Sequence, residues 1–291
     1  MMAVLDRFCR FLERAERSPH TIRNYRHDLD RLAAWFASRS EEPFLPSTLT
    51  PADLRAYKHW LIAQNLKPRT INRKLATLKS FLHWAVDVRL LRSGHGLRVP
   101  RPVREARGGP RWLDRQEQHR LLRAVERSGA LRDIAAVTLM LHTGMRVSEL
   151  CALAWKDVSV SERHGLLTVR YGKGSKRRDI PLNRDARWAI RTLGYGEHAG
   201  TSALIFRGQR GPLTPRGVQL LLARYARTTG LEGVTPQALR HSFCKNLVNA
   251  GVGLEKIARL AGHDSLETTR RYCEPSLQDL EQVVELVSER E

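Results

Sequence analysis

The segment TPQALRHSFCKNLVNAGV occupies residues 235–252 and predicts a helix with a polar first turn. Thr235 is a good N-cap, and Pro236 suits the first helical position. Gln237 and Arg240 then lie three residues apart on one face of that turn. Because helix N-termini attract phosphate, this face is a candidate anion site. Taken alone, Arg240 fits equally well as a surface charge or as the partner of a carboxylate.

The residues that follow add a histidine and a tyrosine to this region. A short helix over 254–261 is predicted to end at Gly262 as a C-cap, which projects His263 from the helix end. Ser265 is expected to cap a further helix, SLETTRRY, that carries Tyr272 about two turns along. In isolation, such a histidine is usually structural and such a tyrosine is usually an exposed helical residue.

Residues 111–234 show a mixed pattern of helices and strands. Helices are predicted from Asp114 to about Ser128, from Leu131 to His142 and over residues 146–153. Residues 166–170 and 178–181 flank a Gly-Lys-Gly-Ser turn, which predicts a β-hairpin. Further helices are predicted to begin near residues 185, 214, 235 and 265.

Residues 3–88 carry apolar side chains at helical spacing throughout. A second helix is expected after Ser18-Pro19 with Thr21 as its cap, a third after residues 50–51 and a fourth from Thr70. Helices of this length form a compact bundle.

The composition points to a polyanionic partner. Fifty Lys and Arg residues against thirty Asp and Glu give a net charge of +20, spread along the whole chain of 291 residues. Nucleic acid is therefore the leading candidate. A membrane surface is the weaker alternative because no basic amphipathic anchor stands out and no apolar run approaches about 18 residues. Four scattered cysteines indicate neither a zinc site nor a disulfide framework, so we expect a cytoplasmic, nucleoid-associated protein.

The stretch SGHGLRVPRPVREARGGP, residues 93–110, has the composition of an extended interdomain linker. It predicts an N-terminal helical domain over residues 1–92 and a C-terminal domain over residues 111–291. Arg98, Arg101, Arg104 and Arg107 recur along the linker, so we expect them to contact a DNA backbone. A plain solvated linker is the alternative.

Together these residues resemble the tyrosine recombinase (phage integrase) family, in particular its Xer-like members. The first arginine of that family matches Arg146 in TGMRVSEL, and its hairpin lysine matches Lys173 in YGKGSKRRDIPL. Its second arginine matches Arg240 in ALRHSF, its Gly-His element matches residues 262–263, and its nucleophile matches Tyr272 in TTRRY. More loosely, SPHTIRNYRHDLDRLAAWF and KPRTINRKLATLKSFLHWAV resemble two helices of its core-binding domain.

The resemblance implies a mainly α fold with a small β-sheet. An N-terminal helical core-binding (SAM-like) domain and a mixed α/β catalytic domain would form a C-shaped clamp on DNA. The double-stranded DNA would contain a specific recombination site.

The resemblance also implies a metal-independent reaction without a cofactor. Tyr272 would attack the scissile phosphate, giving a 3′-phosphotyrosyl bond and a free 5′-hydroxyl. Arg146 and Arg240 would hold the non-bridging oxygens in the place where many nucleases use metal ions. Lys173 would protonate the leaving oxygen, and His263 would donate a hydrogen bond to the phosphate.

One position departs from the family pattern, which has a histidine where this chain has Gln237. An amide cannot carry a proton at neutral pH, so acid–base chemistry should depend more on Lys173. His241 lies about 100° around the helix from Arg240 and is expected to be a poor substitute. We therefore expect slower cleavage than in the histidine form and a faster rate after Gln237→His. Glu149, one turn after the first arginine, is expected to support the site, with a purely structural role as the alternative.

The family mechanism implies a homotetramer on two synapsed duplexes, acting alone or with an accessory protein or second recombinase. A C-terminal helix from Leu277, with Leu280, Val284 and Val287 in one stripe, would dock on a neighbouring protomer or pack within its own chain. Two other functions remain open: a catalytically weakened relative that acts as a DNA-binding accessory protein, and a type IB topoisomerase-like enzyme. Integration, transposition, dimer resolution and inversion would all use this chemistry.

Overall fold

The computed structural model describes residues 2–92, 94, 96–104, 110–170, 177–263, 265–270, 272 and 284. Contacts divide the chain into two compact units, Met1–Arg107 and Gly108–Glu291. The domain boundaries at residues 92 and 111 stay a prediction.

Helices build the N-terminal unit, as predicted, with small differences at their starts. They are α1 (Met2–Arg14), α2 (Pro19–Ala37), α3 (Pro51–Ala63) and α4 (Pro68–Asp87), with a 3-10 turn at Pro46–Thr48. Ser18, not Thr21, caps α2, because its side chain accepts a hydrogen bond from the Thr21 N–H. The fourth helix begins before Thr70, since Pro68 occupies its first position with Lys67 as the N-cap.

Aromatic side chains fill the core of this unit. The ring centroids of Phe8 and Phe81 are 5.4 Å apart, and those of Phe8 and Trp84 are 5.2 Å apart. A buried ion pair joins α2 to α4 beside this core, where Lys74 Nζ lies 2.7 Å from Asp28 Oδ1.

The segment after α4 partly covers the same core. Leu97, Val99 and Val103 pack against it, and the Asn72 amide hydrogen-bonds both backbone groups of Val103. The intervening Arg98, Arg101 and Arg104 are exposed, whereas Arg107 lies outside the described residues. This part of the predicted linker is therefore fixed by alternating apolar side chains, and its arginines face solvent.

The C-terminal unit combines helices with two small sheets. The helices are α5 (Arg115–Arg127), α6 (Leu131–Thr143), α7 (Val147–Cys151), α8 (Arg184–Thr192), α9 (Tyr195–His198), α10 (Pro215–Thr229), α11 (Pro236–Asn249), α12 (Leu254–Ala261) and α13 (Leu266–Arg270). The strands are β1 (Val158–Val160), β2 (Gly165–Val169), β3 (Arg178–Pro181), β4 (Arg207–Gly208) and β5 (Gly211–Pro212).

The predicted hairpin is present as β2 and β3, which pair antiparallel with Leu167 opposite Ile180. The sequence did not predict β1, which adds to the other edge of β2 and gives the order β1-β2-β3. Three residues are too few to show a clear alternation, so β1 is set by pairing instead of by its own pattern. The predicted turn at residues 172–175 lies outside the described residues.

Helix α6 lies at the centre of this unit and is buried along almost its whole length. It packs against α5, α8 and α11. Because α6 ends at Gly144 in a left-handed conformation, the chain turns there and presents the next residues at the surface of the core.

Candidate active site

Gly144 sets the geometry at the end of α6. Its φ is +61°, and a Cβ at this position would lie 2.2 Å from the ring of Phe243 on α11. The close approach lets its carbonyl oxygen accept a hydrogen bond from Arg240 Nη1 at 2.6 Å. Only glycine fits this turn, because any other residue would strain the backbone and its side chain would clash with Phe243.

Arg146 is the N-cap of α7, and Glu149 lies in the first turn of that helix. One Glu149 oxygen accepts from the Arg146 backbone N–H at 2.7 Å, and the other accepts from Arg146 Nη1 at 2.9 Å. Arg146 Nη2 donates to the Gly262 carbonyl at 2.6 Å. The arginine is thus held at three points while its side chain stays 28% exposed.

Arg178, at the start of β3, holds the same carboxylate from the other side. Its Nη1 and Nη2 donate to the two Glu149 oxygens at 3.0 and 2.6 Å, and its Nε donates to the Leu260 carbonyl at 3.0 Å. Burial alone would raise the pKa of Glu149, but hydrogen bonds from Arg178 and Arg146 outweigh it and lower that pKa. Glu149 is therefore ionised and ties α7 to β3.

Gly262 allows Arg178 to come close to the end of α12. It caps α12 with a φ of +67°, and a Cβ there would lie 2.8 Å from Arg178 Nη1. The predicted C-cap is thus confirmed, and the structure adds the reason why a glycine is needed.

Arg240 is 3% exposed and lies in α11, whose N-cap is Thr235 as predicted. Burial and the charge of Arg146 lower the pKa of Arg240 to about 10, so it stays a cation near neutral pH. Among the described residues, its guanidinium has one hydrogen-bond acceptor, the Gly144 carbonyl. A buried cation with unused N–H groups favours an anionic ligand.

His263 follows the α12 cap and lies beside the tyrosine. Its Nδ1 is 2.9 Å from the Thr269 hydroxyl, and its ring stacks on Tyr272 at 5.9 Å between centroids. Burial and the charges of Arg240 and Arg146 lower the pKa of His263 to about 4. The imidazole is therefore neutral at physiological pH.

Tyr272 does not lie within a helix, contrary to the sequence-based prediction. Among the described residues α13 ends at Arg270, and the Tyr272 N–H bonds the Thr269 carbonyl at 3.0 Å in a turn. The ring, 4% exposed, instead packs with Phe243, Ile257 and Ala261. This packing overrides the helical preference of the preceding residues.

His241 contacts the tyrosine directly, which the sequence did not predict. His241 Nδ1 lies 2.5 Å from Tyr272 Oη, and His241 Nε2 lies 3.2 Å from Gln237 Nε2. Gln237 is exposed and lies four residues before His241, on the same face of α11. Tyr272 therefore approaches the face of α11 that carries Gln237 and His241.

Sequence reasoning missed Arg178 and the contact between His241 and Tyr272, although the sequence contains a signal for each. His241 follows Gln237 at i+4. Arg178 is two residues before the buried Ile180 on β3, so both side chains point to the same face of the strand.

Several predicted features fall on the undescribed residues. Lys173 lies outside the described residues. The predicted C-terminal helix from Leu277 does so too, except for Val284, which is 65% exposed. In the described residues no cluster of three or more metal-binding side chains occurs. None of the helices described is sufficiently long and apolar to cross a membrane.

The arrangement brings two cations, a phenol and two imidazoles to one place. Arg146 is close enough to Arg240 that its charge lowers the pKa of Arg240, and a charge on Tyr272 would raise that pKa. Such a group of donors around a phenol suits a phosphate ester whose charge grows during reaction.

Comparison with known proteins gives matches over both units. A phage integrase family model matches residues 111–278, and a model of the phage integrase N-terminal SAM-like domain matches residues 5–88. Tyrosine recombinase XerC of Xylella fastidiosa is 31% identical over 100% of this chain and 98% of its own length. Tyrosine recombinase XerC of Myxococcus xanthus is 32% identical over 96% and 95%.

Solved structures share the fold at lower identity. The Tn1549 transposon integrase in complex with transposon right end DNA superposes with a TM-score of 0.76 at 19% identity, covering 98% of this chain and 99% of that chain. XerH recombinase bound to its palindromic difH substrate gives a TM-score of 0.74 at 20% identity, covering 97% and 83%. From the family models and the full-length relatives, this chain belongs to the phage integrase family of tyrosine recombinases.

Proposed function

We propose that this chain is a site-specific DNA recombinase that cleaves and rejoins strands through a 3′-phosphotyrosyl bond at Tyr272. The observation that carries the proposal is the buried Arg240 cation, whose remaining N–H groups have no described protein acceptor. It lies with Arg146, His263 and Tyr272 in one site. A scissile phosphate has the charge and the oxygen atoms that this site lacks.

The two arginines would stabilise the charge that builds on the phosphoryl oxygens. Glu149 orients Arg146 from the protein side, so its open edge is left for the ligand. A planar fork matches two phosphate oxygens, which a lysine would not do. The low exposure of Arg240 strengthens its interaction with the transition state.

His263 would add a neutral donor to the same phosphate. With its pKa near 4 the ring carries one proton at physiological pH. The Thr269 hydroxyl can donate to Nδ1, which leaves the proton on Nε2 and directs it away from Thr269. Lys173 is proposed as the general acid for the leaving 5′ oxygen.

Rejoining needs no nucleotide cofactor. The phosphotyrosyl ester keeps the energy of the broken bond, so a 5′-hydroxyl of another strand can displace Tyr272 and restore the phosphodiester. We propose exchange between two duplexes within a homotetramer, with or without an accessory protein or second recombinase. XerH bound to difH and λ integrase bound to a core site are relatives of the same fold on DNA.

DNA backbone contact is proposed for the exposed arginines that follow α4. Arg98, Arg101 and Arg104 face solvent while the apolar residues between them are fixed. Arg107 is proposed to extend this row. The excess of positive charge suits this role and implies binding that weakens steeply with salt. We place the activity on nucleoid DNA in the cytoplasm.

A nicked suicide duplex that carries the chain's own recombination site tests the proposal. Loss of a short fragment during cleavage traps the protein on DNA, and we expect a covalent adduct in wild type and none in Tyr272→Phe. Tyr225→Phe is the matched control, because Tyr225 is also buried but its hydroxyl donates to Asp133 instead of contacting the site residues. Strand exchange between two labelled duplexes should accompany adduct formation. Binding without an adduct would indicate an accessory protein, and relaxation without exchange would indicate a topoisomerase.

A further inference from the structure

We propose that His241 is a catalytic residue that accepts the phenolic proton of Tyr272 as the tyrosine attacks phosphorus. The inference rests on the proposed function, in which Tyr272 is the nucleophile. It assigns to His241 the proton transfer that the amide of Gln237 cannot perform.

The contact between the two side chains has the geometry of a proton transfer. His241 Nδ1 is 2.5 Å from Tyr272 Oη, and the ring centroids are 5.2 Å apart at 50°. Tyr272 is 4% exposed, so bulk water has little access to its hydroxyl. A free phenol has a pKa near 10 and needs a base to become a nucleophile at neutral pH.

A second side chain at the phenol is a poor base. Cys244 also hydrogen-bonds Tyr272, but burial raises the pKa of its thiol to about 11. The thiol therefore stays protonated at neutral pH and has no charge with which to take a proton. The imidazole of His241 is the better acceptor.

The neighbouring charges favour loss of the phenolic proton. Cations on one side of the phenol stabilise a phenolate, and the carboxylate in the site is already engaged by two arginines. The described titratable and charged groups around this pair are His263, Cys244, Arg240, Arg146, Arg178 and Glu149.

Gln237 would act as a positioning residue for His241. When the phenol donates to Nδ1, the imidazole proton lies on Nε2 and needs an acceptor. The Gln237 amide is 3.2 Å away, and turning it over places Oε1 there in place of Nε2. In that orientation the glutamine would hold the tautomer whose Nδ1 accepts the phenolic proton.

The Tyr272 oxygen forms a bond to phosphorus while the bond from phosphorus to the 5′ oxygen breaks. The phenolic proton moves to His241 Nδ1, which becomes imidazolium, and a general acid gives a proton to the 5′ oxygen. In rejoining, the 5′-hydroxyl returns its proton to that acid, and His241 protonates the departing phenol.

Single-turnover cleavage of the suicide duplex across a range of pH tests the proposal. His241→Asn, which keeps a polar group near the phenol without a base, should lower the rate about 100-fold near neutral pH. In wild type the rate should rise with pH and level off once His241 is neutral. In the variant it should keep rising toward the range of the free phenol, near pH 10. An equal loss at every pH would mean that His241 is only structural.

A second substrate separates the base from the acid. When sulfur replaces the bridging 5′ oxygen, the leaving group departs as a thiolate and needs no proton. The defect of His241→Asn should persist on this substrate, and the acidic limb of the wild-type profile should remain. Rescue of the variant by sulfur would assign His241 to the leaving group and overturn the proposal.

His142→Asn is the matched control, since His142 is also half-buried and hydrogen-bonds Asn183 at 2.8 Å. Its cleavage rate should equal that of wild type. If His241→Asn fails to fold, the wild-type profile on the sulfur substrate decides, because a flat profile would contradict the proposal. A wild-type protein that forms no adduct with either substrate would sink the proposed function itself. Adduct formation at a pH-independent rate would remove only the role of His241.

Discussion

Both units bury carboxylates among cations, and Asp28 of the first unit and Glu149 of the second are connected differently. Asp28 and Glu149 both have side chains that are 1% exposed. The partners of Asp28, which are Arg73, Lys74 and Thr77, all lie on α4.

Glu149 instead has its two arginine partners on different elements. It binds Arg146 before α7 and Arg178 on β3, and both arginines also reach carbonyls at the end of α12. The first cluster fastens two helices, whereas the second assembles the elements of a site. Asp28 and Glu149 are equally buried and both pair with cations, so they differ in the elements that supply their partners.

The largest expected effect comes from the guanidinium that no carboxylate holds. Arg240→Lys should lower the single-turnover cleavage rate by about 100- to 1,000-fold, because a point charge cannot replace a fork at the transition state. Arg187→Lys, at an arginine that donates to the Leu182 carbonyl, is the control and should cleave normally. Similar rates for both variants would remove Arg240 from the chemistry.

Paired isosteric variants test the difference between Asp28 and Glu149. Asp28→Asn and Glu149→Gln should each destabilise the protein, by about 3 kcal/mol, since each leaves buried cations without a charge partner. Only Glu149→Gln should also slow cleavage by folded, DNA-saturated protein, by about tenfold or more. Urea unfolding and single-turnover rates measure the two effects. Equal rates for the two variants would show that Glu149, like Asp28, only supports the fold.

Glycine variants measure the contact between Arg178 and the α12 cap. Gly262→Ala and Gly251→Ala both place a side chain at positive φ, +67° and +72°, but only the first meets another residue. We expect about 1–2 kcal/mol of destabilisation from backbone strain in each. Gly262→Ala should lose more and should also cleave more slowly, because Arg178 must move. Equal losses of thermal stability in the two variants would show that the contact between Gly262 and Arg178 does not contribute to stability.

The smallest expected effect is the dependence of stability on pH. The pKa of His263 is lowered from 6.5 to about 4 in the folded chain. The unfolded chain therefore binds a proton in this window that the folded chain does not, so stability falls as pH drops from about 6.5 to 4. Glu149, with its lowered pKa, acts in the same direction at lower pH.

His263→Asn should reduce the loss of unfolding free energy across this pH window by at most about 2 kcal/mol, since the ring is partly open to water. Denaturant unfolding at pH 7 and pH 5 measures the change. A slope that is the same in the variant would mean that His263 is not held neutral by the site.

Local signals predicted most of the fold. Thr or Ser before proline marked α2, α3, α10 and α11, because the cap and the fixed φ act within one turn. The short strand β1 was missed because its partner, not its own sequence, stabilises it.

The sequence indicated residues of the site but not which of them contact one another. The local pattern of α11 does not show which face the tyrosine approaches, since Tyr272 lies in a turn 31 residues after His241. The tertiary packing of Tyr272 brought His241 into contact with it. Arg178 was missed in a similar way, because its partner Glu149 lies on another element.

The identity of the residue that becomes attached to DNA shows whether Tyr272 is the nucleophile. The adduct trapped on a suicide duplex can be digested and its peptides sequenced by mass spectrometry. The account predicts one modified peptide, with the nucleotide remnant on the oxygen of Tyr272. A remnant on Tyr225, on a serine or on any other side chain would contradict it.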